Sequence, residues 1–169
     1  MKPKIAILFF AHEWFWNYKM FGSEFLKLLE SDVTNIENYL KSFAEVVSSG
    51  IILNESQAKE AVKKLKGEHV NLIILCPIVW SSDSTVLASL KEFDNAHPFL
   101  MWCYNPYKEL PKKLSVPEMI RATSTVGALQ SSSAISRLGK SLIPIVGKED
   151  EVLKDIYEYS IVAKLLDDF

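Results

Sequence analysis

Candidate chemistry in this sequence begins with aromatic and ionisable residues directly after its first apolar segment. The segment 5–10 is continuously apolar, and His12, Glu13, Trp14 and Trp16 follow it. A histidine beside a glutamate can supply one acid–base group or one metal ligand, whereas tryptophan faces pack on the C–H patches of a sugar. These residue types predict either proton transfer or recognition of a polyhydroxylated ligand.

Two later loops contain residues of the same kind. Trp80 and Ser81 follow the third apolar segment of the chain, and Asn105 follows the fourth. If these segments are parallel strands, their carboxyl ends lie at one edge of a sheet, so we expect the three side chains near Glu13 and Trp14. The alternative is that the aromatic residues only cover the sheet end or fill a subunit interface.

A stripe of small residues marks the helix predicted after the fourth segment. Thr123, Gly127 and Ser131 recur at every fourth position, and Gln130 lies beside them. Residues at this spacing share one helix face. Such a stripe is typical of close helix packing, and the alternative is that a ligand or a neighbouring subunit approaches the face and contacts Gln130.

Short apolar segments alternate with helical patterns along the chain. The pattern predicts strands over 5–10, 51–53, 70–75, 98–103 and 142–146, a loop over 11–18, and the longest helices over 24–48, 118–138 and 149–166. An irregularity is expected in the first long helix near Asp32. This alternation predicts one α/β domain over 1–169, a three-layer doubly wound sheet of five parallel strands with flavodoxin-like order.

Several functions of such a fold are excluded by the loop residues. No glycine precedes Gly22, so the dinucleotide fingerprint and the P-loop are both missing. Bulky aromatic residues stand where a flavin phosphate needs small hydroxyl residues. The third predicted strand ends in Cys76 and Pro77 rather than in the aspartate of a receiver domain, and the sequence has no G-x-S-x-G elbow.

Metal and redox chemistry also lack a pattern. His12, His69 and His97 are scattered without the spacing of metal ligands. Cys76 and Cys103 lie in or beside apolar segments, which predicts buried thiols rather than a disulfide or a catalytic pair. We therefore expect this chain to bind no cofactor.

Charge and hydropathy limit the partners. The net charge is −2, so no basic surface favours nucleic acid or an anionic membrane. No apolar run reaches the roughly 18 residues that span a bilayer. The amino terminus lacks the pattern of a signal peptide. These features predict a cytoplasmic protein that binds neither nucleic acid nor membrane.

Four segments suggest a family by their order and spacing. They are LCPIVW at 75–80, PFLMWCYN at 98–105, VGALQ at 126–130 and RLG at 137–139. In succession they resemble the amino-terminal domain of the L-fucose/L-arabinose isomerase family. The similarity extends over nearly the whole chain, although each segment alone is a weak motif.

The resemblance implies a role in carbohydrate metabolism. Members of the family are cytoplasmic aldose–ketose isomerases, trimeric or hexameric, in which a divalent metal, commonly Mn²⁺, and two carboxylates move protons through an enediol. Those groups lie in later domains. This chain is therefore expected to be inactive alone, to use Mn²⁺ only within a complete isomerase, to form homo-oligomers, and to build substrate-site walls with further isomerase domains or subunits.

Individual residues follow the family pattern only in part. Glu13 lies near a glutamine of arabinose isomerases, and Trp80 lies where fucose isomerases place a tryptophan against the sugar. Met101 and Cys103 replace two histidines of arabinose isomerases, which argues against arabinose. The predicted substrate contacts, none of them catalytic, are Glu13, Trp14, Trp80, Ser81, Asn105 and Gln130. The alternative function is a stand-alone sugar-binding or assembly module.

Overall fold

Five parallel strands form the central sheet of the protein, whose computed structural model describes residues 2–93 and 97–167. The strands are β1 (Lys4–Phe10), β2 (Glu45–Ile52), β3 (Leu72–Pro77), β4 (Phe99–Tyr104) and β5 (Ile143–Gly147). Their order is β2-β1-β3-β4-β5, and every neighbouring pair is parallel. The predicted doubly wound, flavodoxin-like fold class is confirmed.

Helices cover both faces of this sheet. Within the described ranges they are α1 (Trp14–Asn17), α2 (Gly22–Lys41), α3 (Glu55–Leu65), α4 (Asp83–Leu90), α5 (Val116–Arg121), α6 (Ser124–Arg137) and α7 (Glu149–Asp167). The helices α2 and α7 bury apolar side chains on one face, and α3, α4 and α6 bury theirs on the other. No helix among the described residues is long and apolar enough to cross a membrane.

The continuous apolar runs of β1 and β3 follow from burial on both faces. Ile7 and Phe9 point into the core beneath α2 and α7, whereas Leu8 and Phe10 point into the core beneath α3 and α4. All four side chains have no exposed surface. Each such burial contributes about 1.5–3 kcal/mol relative to exposure, so β1 and β3 form a rigid base for the loops at their ends.

The first long helix ends earlier than the sequence predicts. The prediction of helix over 24–48 is wrong beyond Lys41, because β2 begins at Glu45 and pairs with β1 from Lys4 onward. Gly50, within β2, has a φ of +66° where β2 gains one residue relative to β1. As an edge strand that is only partly buried, β2 lacks the continuous apolar run that identified the central strands.

Two further predictions need correction. The helix predicted over 118–138 is divided at Ala122 and Thr123 into α5 and α6, because the Thr123 hydroxyl donates to the Ile120 carbonyl, 2.6 Å away, and ends α5. The loop predicted over 11–18 contains the single turn α1. This turn buries Phe15 in the core and leaves Trp14 outside. Both corrections concern segments that meet at the candidate site.

Candidate functional site

The loops after β1 and β3 meet where the strand order reverses. β2 lies on one side of β1 and β3 on the other, and the carboxyl end of such a switch point is where open α/β sheets bind ligands. The Ile78 amide donates to the Phe10 carbonyl at 3.0 Å, and the His12 amide donates to the Trp80 carbonyl at 3.1 Å. These bonds hold the two loops together beyond the sheet.

Three rings from these loops form what we call the aromatic cluster: His12, Trp14 and Trp80. The His12 ring stacks on Trp80, with centroids 4.8 Å apart and planes 10° apart. Trp14 is tilted against His12 at 4.4 Å and meets Trp80 edge-on at 5.5 Å. Two of the residues predicted from the sequence as substrate contacts, Trp14 and Trp80, thus touch each other and His12.

His12 is fixed within this cluster by a local hydrogen bond. Its Nδ1 accepts from the Trp14 amide at 3.2 Å. Burial lowers the pKa of His12 below its ordinary value, and the nearby Glu13 charge opposes this shift only in part. Burial and the hydrogen bond at Nδ1 both favour the neutral imidazole, since a protonated Nδ1 could not accept from the Trp14 amide.

Trp80 supports the cluster rather than extending outward. Its indole Nε1 donates to Gln130 Oε1 at 3.1 Å, and its amide donates to the Thr123 hydroxyl at 3.1 Å. His12 stacks on one face of its ring. Trp14, with 47% of its surface exposed, is the ring that a ligand can reach most readily. Trp14, Trp80 and Gln130 are therefore the predicted residues that the structure brings together.

Ser81 lies behind this surface. It has no exposed surface, and its hydroxyl has no hydrogen-bond partner among the residues that the structure describes. A Cβ added to Gly127 of α6 would lie 2.9 Å from Ser81 Oγ and 3.0 Å from Ser81 N. The stripe of Thr123, Gly127 and Ser131 thus packs closely against the loop after β3, which is the first of its two interpretations.

Glu13 and Asn105 occupy different positions. Glu13 is half-buried between His12 and α1, and its carbonyl accepts from the Asn17 amide at 2.8 Å. Asn105 faces β5, because its amide donates to the Gly147 carbonyl at 3.2 Å. Its side-chain oxygen accepts from the Tyr107 amide at 3.1 Å, which shapes the turn after β4. The contacts described for Asn105 do not reach the aromatic cluster.

A second polar group, the ion-pair network, was missed at the sequence level: Asp32, Tyr104 and Arg121. Arg121 donates to the Asp32 carboxylate through Nε, at 2.7 Å, and through Nη2. The Tyr104 hydroxyl donates to Asp32 Oδ1 at 3.1 Å. Asp32 does not disturb α2, which continues unbroken through it. An acidic residue within the buried apolar stripe of α2 was the signal that could have indicated a paired charge.

Burial and charge shift the titration of this network. Burial raises the pKa of Tyr104 well above its usual value, and the Asp32 and Glu149 charges raise it further. Burial lowers the pKa of Arg121, but the hydrogen bond and charge of Asp32 outweigh it and give a net rise. Tyr104 stays neutral and Arg121 stays charged at physiological pH, so the network is suited to holding α2, α5 and β4 together.

The cysteines and the remaining histidines lie away from the cluster. Cys76 and Cys103 are free and buried, as predicted, and burial raises the pKa of Cys103 to about 11. His69 lies 2.8 Å from Asp167 and lines a cleft of about 580 Å³ together with His97. This cleft is at the amino end of the sheet, opposite the switch point.

The site does not fit a resident metal ion. Within the described ranges, no three His, Cys, Asp or Glu side chains come together in a way that could hold one. At the switch point, His12 Nδ1 already accepts from the Trp14 amide.

Comparison with known proteins adds no assignment. The sequence matches no protein-family model and no curated protein.

Proposed function

We propose that the protein is a sugar-isomerase-related domain whose loops form one wall of a site for a polyhydroxylated ligand. The observation that carries the proposal is the aromatic cluster at the switch point, in which Trp14 remains 47% exposed. An exposed indole face packs on the C–H patches of a sugar, while nearby donors and acceptors bind its hydroxyls. The ligand class is an aldose or its ketose, with L-fucose favoured over L-arabinose.

The wall is completed by other parts of an assembly. His12 and Glu13 are the ionisable residues nearest the exposed indole, and they supply neither a metal site nor the pair of carboxylates that an enediol mechanism uses. The chain alone is then inactive. Further isomerase domains or subunits, in a cytoplasmic homo-oligomer, contribute Mn²⁺ and the proton-transferring groups.

A tryptophan-fluorescence titration tests the wall. L-Fucose added to the protein should change the emission, and Trp14→Ala should abolish the change because it removes the exposed face. Tyr18→Ala is the matched control, since Tyr18 follows the same turn and is 73% exposed without belonging to the cluster. The proposed sugar-binding wall would be contradicted if Trp14→Ala kept the fluorescence change, or if L-fucose caused no fluorescence change in the native protein.

An activity assay tests whether the isolated chain lacks isomerase activity, as proposed. Purified chain with Mn²⁺ should not interconvert L-fucose and L-fuculose, or L-arabinose and L-ribulose. Turnover that survives repeated purification would show that the chain holds its own catalytic groups.

A second candidate function is a stand-alone assembly module. It is favoured by exposed apolar residues on α6 and α7, of which Leu129 is 68% and Leu166 is 74% exposed. An oligomer that buries Trp14 and gives no fluorescence response to sugars would support this candidate over the first.

A further inference from the structure

The orientation of His12 determines which of its ring nitrogens is available to a ligand. Nδ1 accepts from the Trp14 amide at 3.2 Å, the ring stacks on Trp80, and the His12 amide is bonded to the Trp80 carbonyl at 3.1 Å. A neutral imidazole that accepts at Nδ1 carries its proton on Nε2. The same contacts that hold the ring therefore select one tautomer.

The remaining nitrogen, Nε2, has no partner within the described ranges. Among those residues, the buried side-chain atoms that lack a hydrogen-bond partner are Ser81 Oγ and Glu149 Oε2. His12 is only half-buried, and Nε2 does not belong to that set. It follows that Nε2–H reaches solvent beside the exposed ring of Trp14.

We propose that His12 is a specificity-determining residue, whose Nε2–H donates a hydrogen bond to a hydroxyl or carbonyl oxygen of a sugar packed on Trp14. This inference rests on the function proposed above and deepens it. A donor held in one direction beside an aromatic face selects ligands with an acceptor oxygen at the matching position. A purely apolar ligand would leave this donor unpaired, which is unfavourable once water is excluded.

Protonation removes the geometry that holds the donor. When Nδ1 gains a proton it faces the Trp14 N–H as a second donor, so the hydrogen bond between them is lost. Glu13 is the charged group that acts on His12, and the other groups packed against the ring are the neutral Trp14 and Trp80. Ligand affinity should therefore fall as the pH is lowered through the titration of His12.

Nitrogen NMR of the imidazole tests the tautomer without any variant. In the ¹⁵N-labelled protein above pH 7, Nδ1 of His12 should show the shift of an unprotonated nitrogen and Nε2 that of a protonated one. The opposite assignment would overturn the inference even if sugars bind. The expected tautomer without L-fucose binding would overturn the proposed function together with the ligand half of this inference.

A pair of variants then tests the donor with L-fucose as the probe. His12→Asn keeps an acceptor near the Nδ1 position and removes the outer donor, whereas His12→Gln places an amide N–H near Nε2. His12→Asn should weaken binding about tenfold, the equivalent of one net hydrogen bond of about 1.4 kcal/mol. His12→Gln should retain the affinity for L-fucose within about threefold, because the glutamine N–H replaces the Nε2–H donor and no hydrogen bond to the sugar is lost.

Matched stability and unchanged near-ultraviolet circular dichroism establish that both variants keep the fold. If His12→Asn bound L-fucose as tightly as the native protein, the proposed hydrogen bond from Nε2–H would be wrong, because the removed N–H would then make no contact with the sugar. Equal losses of affinity in both variants would also contradict the proposed hydrogen bond, because the imidazole would then act only by packing. A loss of affinity in His12→Asn alone supports the proposed hydrogen bond.

Discussion

The aromatic cluster and the ion-pair network both lie next to strand ends, yet their polar groups are used differently. In the network, Arg121 and Tyr104 both donate to the Asp32 carboxylate, and Asp32 is 2% exposed. In the cluster, Trp14 is 47% exposed, and the side-chain hydrogen bond described for His12 is at Nδ1, which leaves Nε2 without a partner among the described residues. The first is satisfied within the chain, and the second has groups available to a ligand.

This difference shows why perturbed titration alone is a poor guide to a site. Large pKa shifts also occur at groups such as Tyr104 and Arg121, whose partners lie in the same chain. Structural ion-pair networks perturb pKa values as strongly as active sites do. The shift of His12 is smaller, but it accompanies an exposed surface at the switch point.

The largest expected effect comes from removing the cation of the network. Arg121→Met leaves the Asp32 carboxylate buried without its charged partner, which should lower the free energy of unfolding by about 3–5 kcal/mol. Urea denaturation measures the loss. Arg137→Met, at an exposed position at the end of α6, is the matched control and should change stability by no more than about 0.5 kcal/mol.

The same variant tests whether the two regions are independent. If Arg121→Met still folds, its fluorescence response to L-fucose should be that of the native protein. Loss of that response at full folding would break the comparison, because the network would then be positioning the cluster. A stability loss below about 1 kcal/mol, the value of an exposed ion pair, would mean that water replaces the arginine.

A smaller effect is expected where α6 supports the cluster. Gly127→Ala places a methyl group 2.9 Å from Ser81 Oγ, so α6 and the loop after β3 must separate. Overpacking of this kind should lower the free energy of unfolding by about 1–3 kcal/mol. Because Gln130 on α6 accepts from Trp80, the near-ultraviolet circular dichroism should change as well.

Gly67→Ala is the matched control for this variant. An added Cβ at Gly67 meets only the Lys64 carbonyl oxygen, at the ordinary distance of 3.7 Å. Equal stabilities of the two alanine variants would contradict close packing at Gly127. The double variant Ser81→Ala with Gly127→Ala should recover part of the loss, since it removes the nearest atom.

The central strands and the two loops of the cluster could be predicted because local sequence determines them. β1 and β3 are continuously apolar, as burial on both faces demands, and the aromatic residues follow them directly. The strand predicted over 51–53 overlaps only the last two residues of β2. The start of β2 was missed because an edge strand is half-polar and the spacing of Phe43 and Val47 continues the helical pattern of α2. Its pairing with β1 is a tertiary interaction that overrides this local pattern.

The sequence predicts which loops the candidate residues occupy but not the orientation of their side chains. Sequence order places Ser81 and Asn105 in the correct loops, but not the burial of Ser81 or the contact of Asn105 with β5. The stacking of His12 on Trp80 has no local signal, and the place of Asp32 in the buried stripe of α2 indicates a paired charge without identifying Arg121 as its partner. Both contacts join residues more than 60 positions apart, so only the folded chain reveals them.

The smallest effect, a difference in pH dependence, separates the two regions by the sign of their response. The pKa of His12 is 6.5 in the unfolded chain and lower in the fold, so its contribution to stability is complete above pH 6.5. Below that pH the unfolded state binds the proton first, and the contribution falls as the pH drops through the folded pKa. The acid limb is the fall in the free energy of unfolding as the pH is lowered. His12→Gln should remove the part of this fall that His12 causes, whereas His69→Gln, at an exposed histidine, should leave that part in place.

The network should respond at the opposite end of the pH scale. The pKa of Tyr104 is 10.0 in the unfolded chain and raised by burial in the fold, so its contribution is complete below pH 10. Above that pH the unfolded state loses the proton first, and stability falls as the pH rises. Tyr104→Phe should flatten this alkaline limb and leave the acid limb unchanged. A change in both limbs with either single variant would mean that the cluster and the network titrate as one coupled unit.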